Sequence, residues 1–101
     1  MSMERSAKEI AFRLPEAAVL EQMAEEAAEL AKVALKLAGI RRGENPTPVT
    51  EDEAYRSLCE EMADVAVCAK VLMEYEPVRY GGLVLTEMEK MDRWRDRLGR
   101  R

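Results

Sequence analysis

Leu20, Met23, Ala27, Leu30, Ala34 and Leu37 recur every three or four residues along a stretch that no proline or glycine interrupts between Pro15 and Gly39. Leu58, Met62, Val65, Ala69 and Leu72 repeat the pattern downstream. Such spacing places each set on one face of an α-helix and excludes a strand, in which alternate residues share a face. The pattern predicts helices over about 15–38 and 51–75. Pro15 suits the first turn of the former and Gly39 its C-terminal cap. Between them, residues 39–50 hold two Gly and two Pro and read as a loop.

Three Ser/Thr-x-x-Glu capping boxes, Ser6 with Glu9, Thr50 with Glu53 and Thr86 with Glu89, suggest helix starts. They add a short helix ending before Pro15 and a last helix over about 83–98, after the break at residues 76–82. With 101 residues the chain holds one domain, 1–101. The expected fold is all-α: a helical hairpin with extra short helices. Each long helix is apolar around more than half its circumference, too much for the few other elements to cover. Ala24, Ala27, Ala31 and Ala34 permit close helix approach, so two hairpins are expected to pair into a four-helix-bundle core as a homodimer or homotetramer.

Composition narrows the functions. A net charge of −4 gives no general attraction for nucleic acid or acidic membranes. No apolar run approaches the ~18 residues of a membrane span. Charges at Glu4, Arg5, Lys8, Glu9 and Arg13 interrupt any secretory signal core, so the expected location is cytoplasmic. Cys59 and Cys68 fall on roughly opposite sides of one helix and are expected to stay reduced. The chain has no histidine, which removes Glu-x-x-His di-iron sites, most zinc hydrolases and nucleophilic triads. No Gly-rich phosphate loop is present.

Two acid pairs interrupt the apolar pattern. Glu26 falls between Val19 and Val33, with Glu29 just past that edge, while Glu61 and Asp64 project beside Cys68 and Val71. Each pair is spaced i, i+3 and shares a helix face. Twenty acidic residues in 101 produce several such pairs by chance, and most of the others are simply solvated. An unpaired carboxylate in an apolar setting costs several kcal/mol, however. A bound hard cation, Mg²⁺ or Mn²⁺, would resolve the cost.

The segments "EEAAEL" at 25–30 and "EEMADV" at 60–65 resemble the E-E-x-x-E and E-x-x-D signature of the MazG-like all-α nucleoside triphosphate pyrophosphohydrolases. The tail "KMDRWRDRL", 90–98, is similar to the K-x-x-R-x-x-x-R-L ending of small members. The 31-residue spacer between Glu29 and Glu61 is longer than is common in that family. The resemblance implies cleavage of a nucleoside triphosphate to the monophosphate and pyrophosphate. It also implies Mg²⁺, or Mn²⁺, held by Glu26, Glu29, Glu61 and Asp64, which would be both metal ligands and catalytic residues. Lys90, Arg93 and Arg97, on one face of the last helix, would bind substrate phosphates. Without the resemblance these cations read as a solvated helix end that complements the macrodipole. The competing function is a noncatalytic helical dimerisation module whose acid pairs are surface charge. Trp94, Tyr55, Tyr75 and Tyr80 receive no role from sequence.

Overall fold

The computed structural model describes residues 2–44 and 48–99. Five helices follow one another: α1 Met3–Arg13, α2 Glu16–Arg42, α3 Glu51–Leu72, the single turn α4 Pro77–Tyr80, and α5 Leu83–Gly99. No strand occurs among the described residues, so the fold is all-α as the periodicity requires. None of these helices is long and apolar enough to cross a membrane.

Two long helices joined by a short link can pack only as an antiparallel hairpin, and α2 with α3 forms the body of the fold. The N-terminus of α3 is fixed by Thr50, whose hydroxyl accepts from the Glu53 N–H at 3.1 Å. The other two capping boxes are corrected by the structure. Ser6 lies inside α1, which is capped instead by Ser2 accepting from the Arg5 N–H at 3.1 Å. Thr86 lies inside α5, and its hydroxyl donates back to the Gly82 carbonyl at 3.1 Å. Both misreadings share one cause: a Ser or Thr one turn into a helix looks the same in sequence as one at its edge.

Gly39 does not end α2 either. The helix continues to Arg42, and Gly43, at φ +68°, supplies the left-handed C-terminal residue. The Arg41 guanidinium then bridges to Glu51 at 2.6 Å, tying the two hairpin ends together. The centre of the predicted loop lies outside the described residues.

α1 packs on α3, and the core there joins Ala7, Val19, Cys68, Val71 and Leu72. Two tyrosines clamp the chain around it. Tyr75 donates its hydroxyl to the Leu14 carbonyl at 2.7 Å, and Tyr80 donates to Glu16 Oε2 at 3.0 Å. Sequence distance hides both contacts.

The face that each long helix turns inward differs from the expected stripe. On α2 the inward line runs through Val19, Met23, Glu26, Leu30, Val33 and Leu37, while Leu20, Ala27 and Ala34 are exposed. On α3 it runs through Ala54, Leu58, Glu61, Val65, Cys68 and Leu72, leaving Met62 exposed. A helix apolar on two sides has no single stripe, and a wheel finds the average of both.

What the hairpin leaves outside is equally regular. Leu20, Ala24, Ala27, Ala31 and Leu35 form an exposed 4-3 line on α2, and Tyr55, Cys59, Met62 and Ala66 another on α3. Both are rotated in the same sense from the inward face, so in an antiparallel pair they open on the same side. α1 packs beside Val67 and Val71, on the other side. α5 buries no residue at all, and Val84, Met88, Met91 and Leu98 stay exposed along it. The chain thus exposes 8330 Å², where a compact monomer of its mass would expose about 5800 Å².

Candidate functional site

The inward lines bring acids from two helices together. Glu26 on α2 and Glu61 and Asp64 on α3 each place a carboxylate oxygen within 4.8 Å of the others. Glu26 and Glu61 are half-buried and Asp64 is exposed, so the trio sits in the seam between the helices and opens toward solvent. Asp64 lies three residues before Val67, on the side of α3 that carries α1.

Exposed acidic clusters are common on proteins and carry little meaning alone. Here one atom differs. Glu61 Oε2 is fully buried and has no hydrogen-bond partner, the one such side-chain atom found among the described residues. Buried polar atoms are satisfied as a rule. The neighbouring carboxylates offer this oxygen acceptors where it needs a donor or a cation.

The same crowding acts on Glu26. Hydrogen bonding to Glu61, open to Glu26 only when a proton is bound, is the first cause that raises its carboxyl above the ordinary range, with partial burial and then the nearby Asp64 adding to the effect. Gln22, one turn earlier, donates from Nε2 to Glu26 Oε1 at 2.9 Å and fixes that carboxylate in the seam. Gln22 was not among the residues singled out by sequence, although its i, i+4 spacing to Glu26 was visible. Cys68 lies close by, its thiol pushed up first by burial and then by the charges of Glu26 and Asp64. Both cysteines are free, as the spacing argument expected, but only Cys68 is packed; Cys59 is exposed where a packed thiol was expected.

Glu29 stands apart from the trio. It is exposed and paired with Lys32 at 3.3 Å, one turn along the outer edge of α2. Three of the four acids selected from sequence therefore converge, and the fourth has a local cation of its own.

Lys90, Arg93 and Arg97 share one exposed face of α5, where they line a shallow depression with Trp94 and Asp96. None of the three makes an ion pair or hydrogen bond among the described residues. Arg95, on another face, takes both Asp92 and Asp96 at 3.5 Å. The basic face is thus real as a face, but among the described residues no ion pair or hydrogen bond joins it to the acid trio.

The trio's chemistry fits a hard divalent ion. Oxygen donors from side chains on two rigid helices, with solvent on one side, match Mg²⁺ or Mn²⁺, which keep several water ligands and take only a few carboxylates. In comparisons with known proteins, the chain matches no family model, no curated protein and no solved structure.

Proposed function

We propose that the chain is a divalent-metal-dependent nucleotide pyrophosphohydrolase, which cleaves a nucleoside triphosphate with water to a nucleoside monophosphate and pyrophosphate. The observation that carries this reading is Glu61 Oε2, a buried carboxylate oxygen without a donor, set against two further carboxylates. The resemblance of 25–30, 60–65 and 90–98 to the MazG-like signature supports the reaction class. Glu26, Glu61 and Asp64 would hold the ion; the place of Glu29 in the ligand set rests on the resemblance alone and would require it to leave Lys32.

When bound, the ion would neutralise charge on the phosphates and lower the pKa of its water. The chain's own residues supply the rest. Gln22 keeps Glu26 aimed into the seam. A carboxylate not taken up by the ion accepts the proton of the attacking water. The bond from the α-phosphorus to the bridging oxygen breaks, and pyrophosphate leaves. Lys90, Arg93 and Arg97, without partners among the described residues, would hold phosphate oxygens.

Self-association belongs to the same proposal. The excess of about 2500 Å² over a compact monomer is of the size that obligate interfaces cover. Its regular part is the pair of exposed 4-3 lines on one side of the hairpin. Two copies meeting through that side form a four-helix bundle, with the acids on the side away from the seam between copies. The alternative of a noncatalytic dimerisation module shares this feature, so association does not separate the two; hydrolysis does.

The test is release of pyrophosphate from a panel of ribo- and deoxyribonucleoside triphosphates with Mg²⁺ or Mn²⁺. Activity is expected on at least one substrate, with none in chelator. Glu61→Gln should lower it by more than about a hundredfold, because even partners behind metal ligands are worth 10–100-fold. A panel without metal-dependent pyrophosphate release would leave the interaction module as the better reading.

A further inference from the structure

The four aromatic residues that sequence left without a role divide cleanly in the structure. Tyr75 and Tyr80 are committed to the clamp around the core. Tyr55 lies on the exposed line of α3, where association would use it. Trp94 is different: it is 62% exposed and stands on the border of two faces of α5, lining one depression with Lys90, Arg93 and Arg97, which make no ion pair among the described residues, and a second with Met91 and Leu98. An indole on that border presents an uncovered π-face directly beside guanidinium groups, which the other exposed apolar side chains of α5 cannot do.

We propose that Trp94 is the base-stacking residue of the nucleotide site, with Lys90, Arg93 and Arg97 around it holding the polyphosphate, so that α5 binds the nucleotide without any metal. This rests on the pyrophosphohydrolase reading and adds to it the group that recognises the base. The spacing supports a compact ligand. From Lys90 to Arg97 the helix rises about 10 Å, which suits a few phosphates rather than a long chain of them. Arg95 is held by Asp92 and Asp96, so acids flank the basic face instead of extending it. With a net charge of −4, the rest of the molecule repels a longer polyanion. A flat π-face next to guanidinium groups binds any base by stacking, while the cations select for attached phosphate.

Trp94 is the chain's single tryptophan, so its fluorescence reports on this helix alone. The experiment titrates each ribonucleoside triphosphate into the protein in excess EDTA, which removes any contribution from the acid trio. Saturable quenching is expected, weakened roughly tenfold by Arg93→Ala or by Arg97→Ala. Inorganic tripolyphosphate should compete for the face without quenching, and a free nucleoside should bind much more weakly. Calorimetry should show Trp94→Leu losing roughly tenfold in affinity for the triphosphate while retaining tripolyphosphate binding. These substitutions lie on a helix that buries no residue, and unchanged circular dichroism would confirm that the fold survives.

No saturable quenching would overturn the assignment, and so would a concentration-dependent blue shift that nucleotide leaves unchanged, which would place Trp94 in a protein interface. Tighter quenching by an oligothymidylate than by any triphosphate would overturn it in favour of a nucleic-acid surface. Because the titration excludes metal and the pyrophosphate assay requires it, failure of nucleotide binding on α5 and failure of the hydrolase reading are told apart.

Discussion

Replacing Glu61 by glutamine is expected to raise the melting temperature of the metal-free protein while removing its response to Mg²⁺. In the wild type, a buried Glu61 oxygen faces other carboxylates without a donor. The glutamine amide keeps the shape and can donate to Glu26 or Asp64, turning repulsion into a hydrogen bond. Relieving one unsatisfied buried group is worth about 1–3 kcal/mol; the open side of the trio argues for about 1, or a rise of roughly 4–8 °C in a domain this small. Wild type saturated with ion at a hundred times its Kd should gain about 2.7 kcal/mol, and the variant close to none. A site that destabilises the empty fold and is rescued by its ligand is the signature of function.

The pH dependence in chelator follows from Glu26. Its carboxyl is held above its ordinary value, first by hydrogen bonding to Glu61 that only the protonated form can make. The folded state therefore binds that proton more tightly than the unfolded chain. The resulting stabilisation is fully present below the unfolded value, and it is lost as pH rises through the higher folded value. In that window the melting temperature of the metal-free wild type should carry a falling component, which saturating Mg²⁺ and Glu61→Gln should each flatten. Ion affinity should rise over the same range, since ion and proton compete for one carboxylate.

Ala31→Glu is expected to dissociate the protein. Ala31 is exposed in the single chain, at the centre of the line Leu20, Ala24, Ala27, Ala31 and Leu35, so the substitution leaves the hairpin's own packing alone. In a two-fold bundle it buries two like charges against each other. An unpaired carboxylate there costs several kcal/mol, which weakens association by roughly a hundredfold or more. Sedimentation at micromolar concentration should show the wild type above its chain mass of 11.5 kDa and the variant near it. A wild type that sediments as a monomer would refute the bundle and leave its exposed apolar lines without a purpose.

Sequence made the helices legible and their faces only partly so. Uninterrupted 3–4 periodicity located α2 and α3 within a few residues, because it reflects local geometry, while α5 was placed by the break at 76–82 that precedes it. It misplaced the end of α2 at Gly39 because a glycine can continue a helix, and only the left-handed φ of Gly43 distinguishes the cap. The inward face was displaced because Ala and Leu surround both long helices. That displacement mattered most at Glu26 and Glu61, which read as bordering the core and in fact lie on the packing line. The convergence of Glu26 with Glu61 and Asp64 depends on hairpin register, which spacing cannot supply. Glu29, paired with Glu26 by motif, lies outside the converging trio, exposed and beside Lys32.

The most direct test of the proposed centre is calorimetric titration of Mn²⁺ into chelator-stripped protein near neutral pH, in parallel with Glu61→Gln. The centre requires saturable binding in the wild type and affinity weakened by more than about tenfold in the variant. No saturable binding at millimolar Mn²⁺, or equal binding by both proteins, would contradict it.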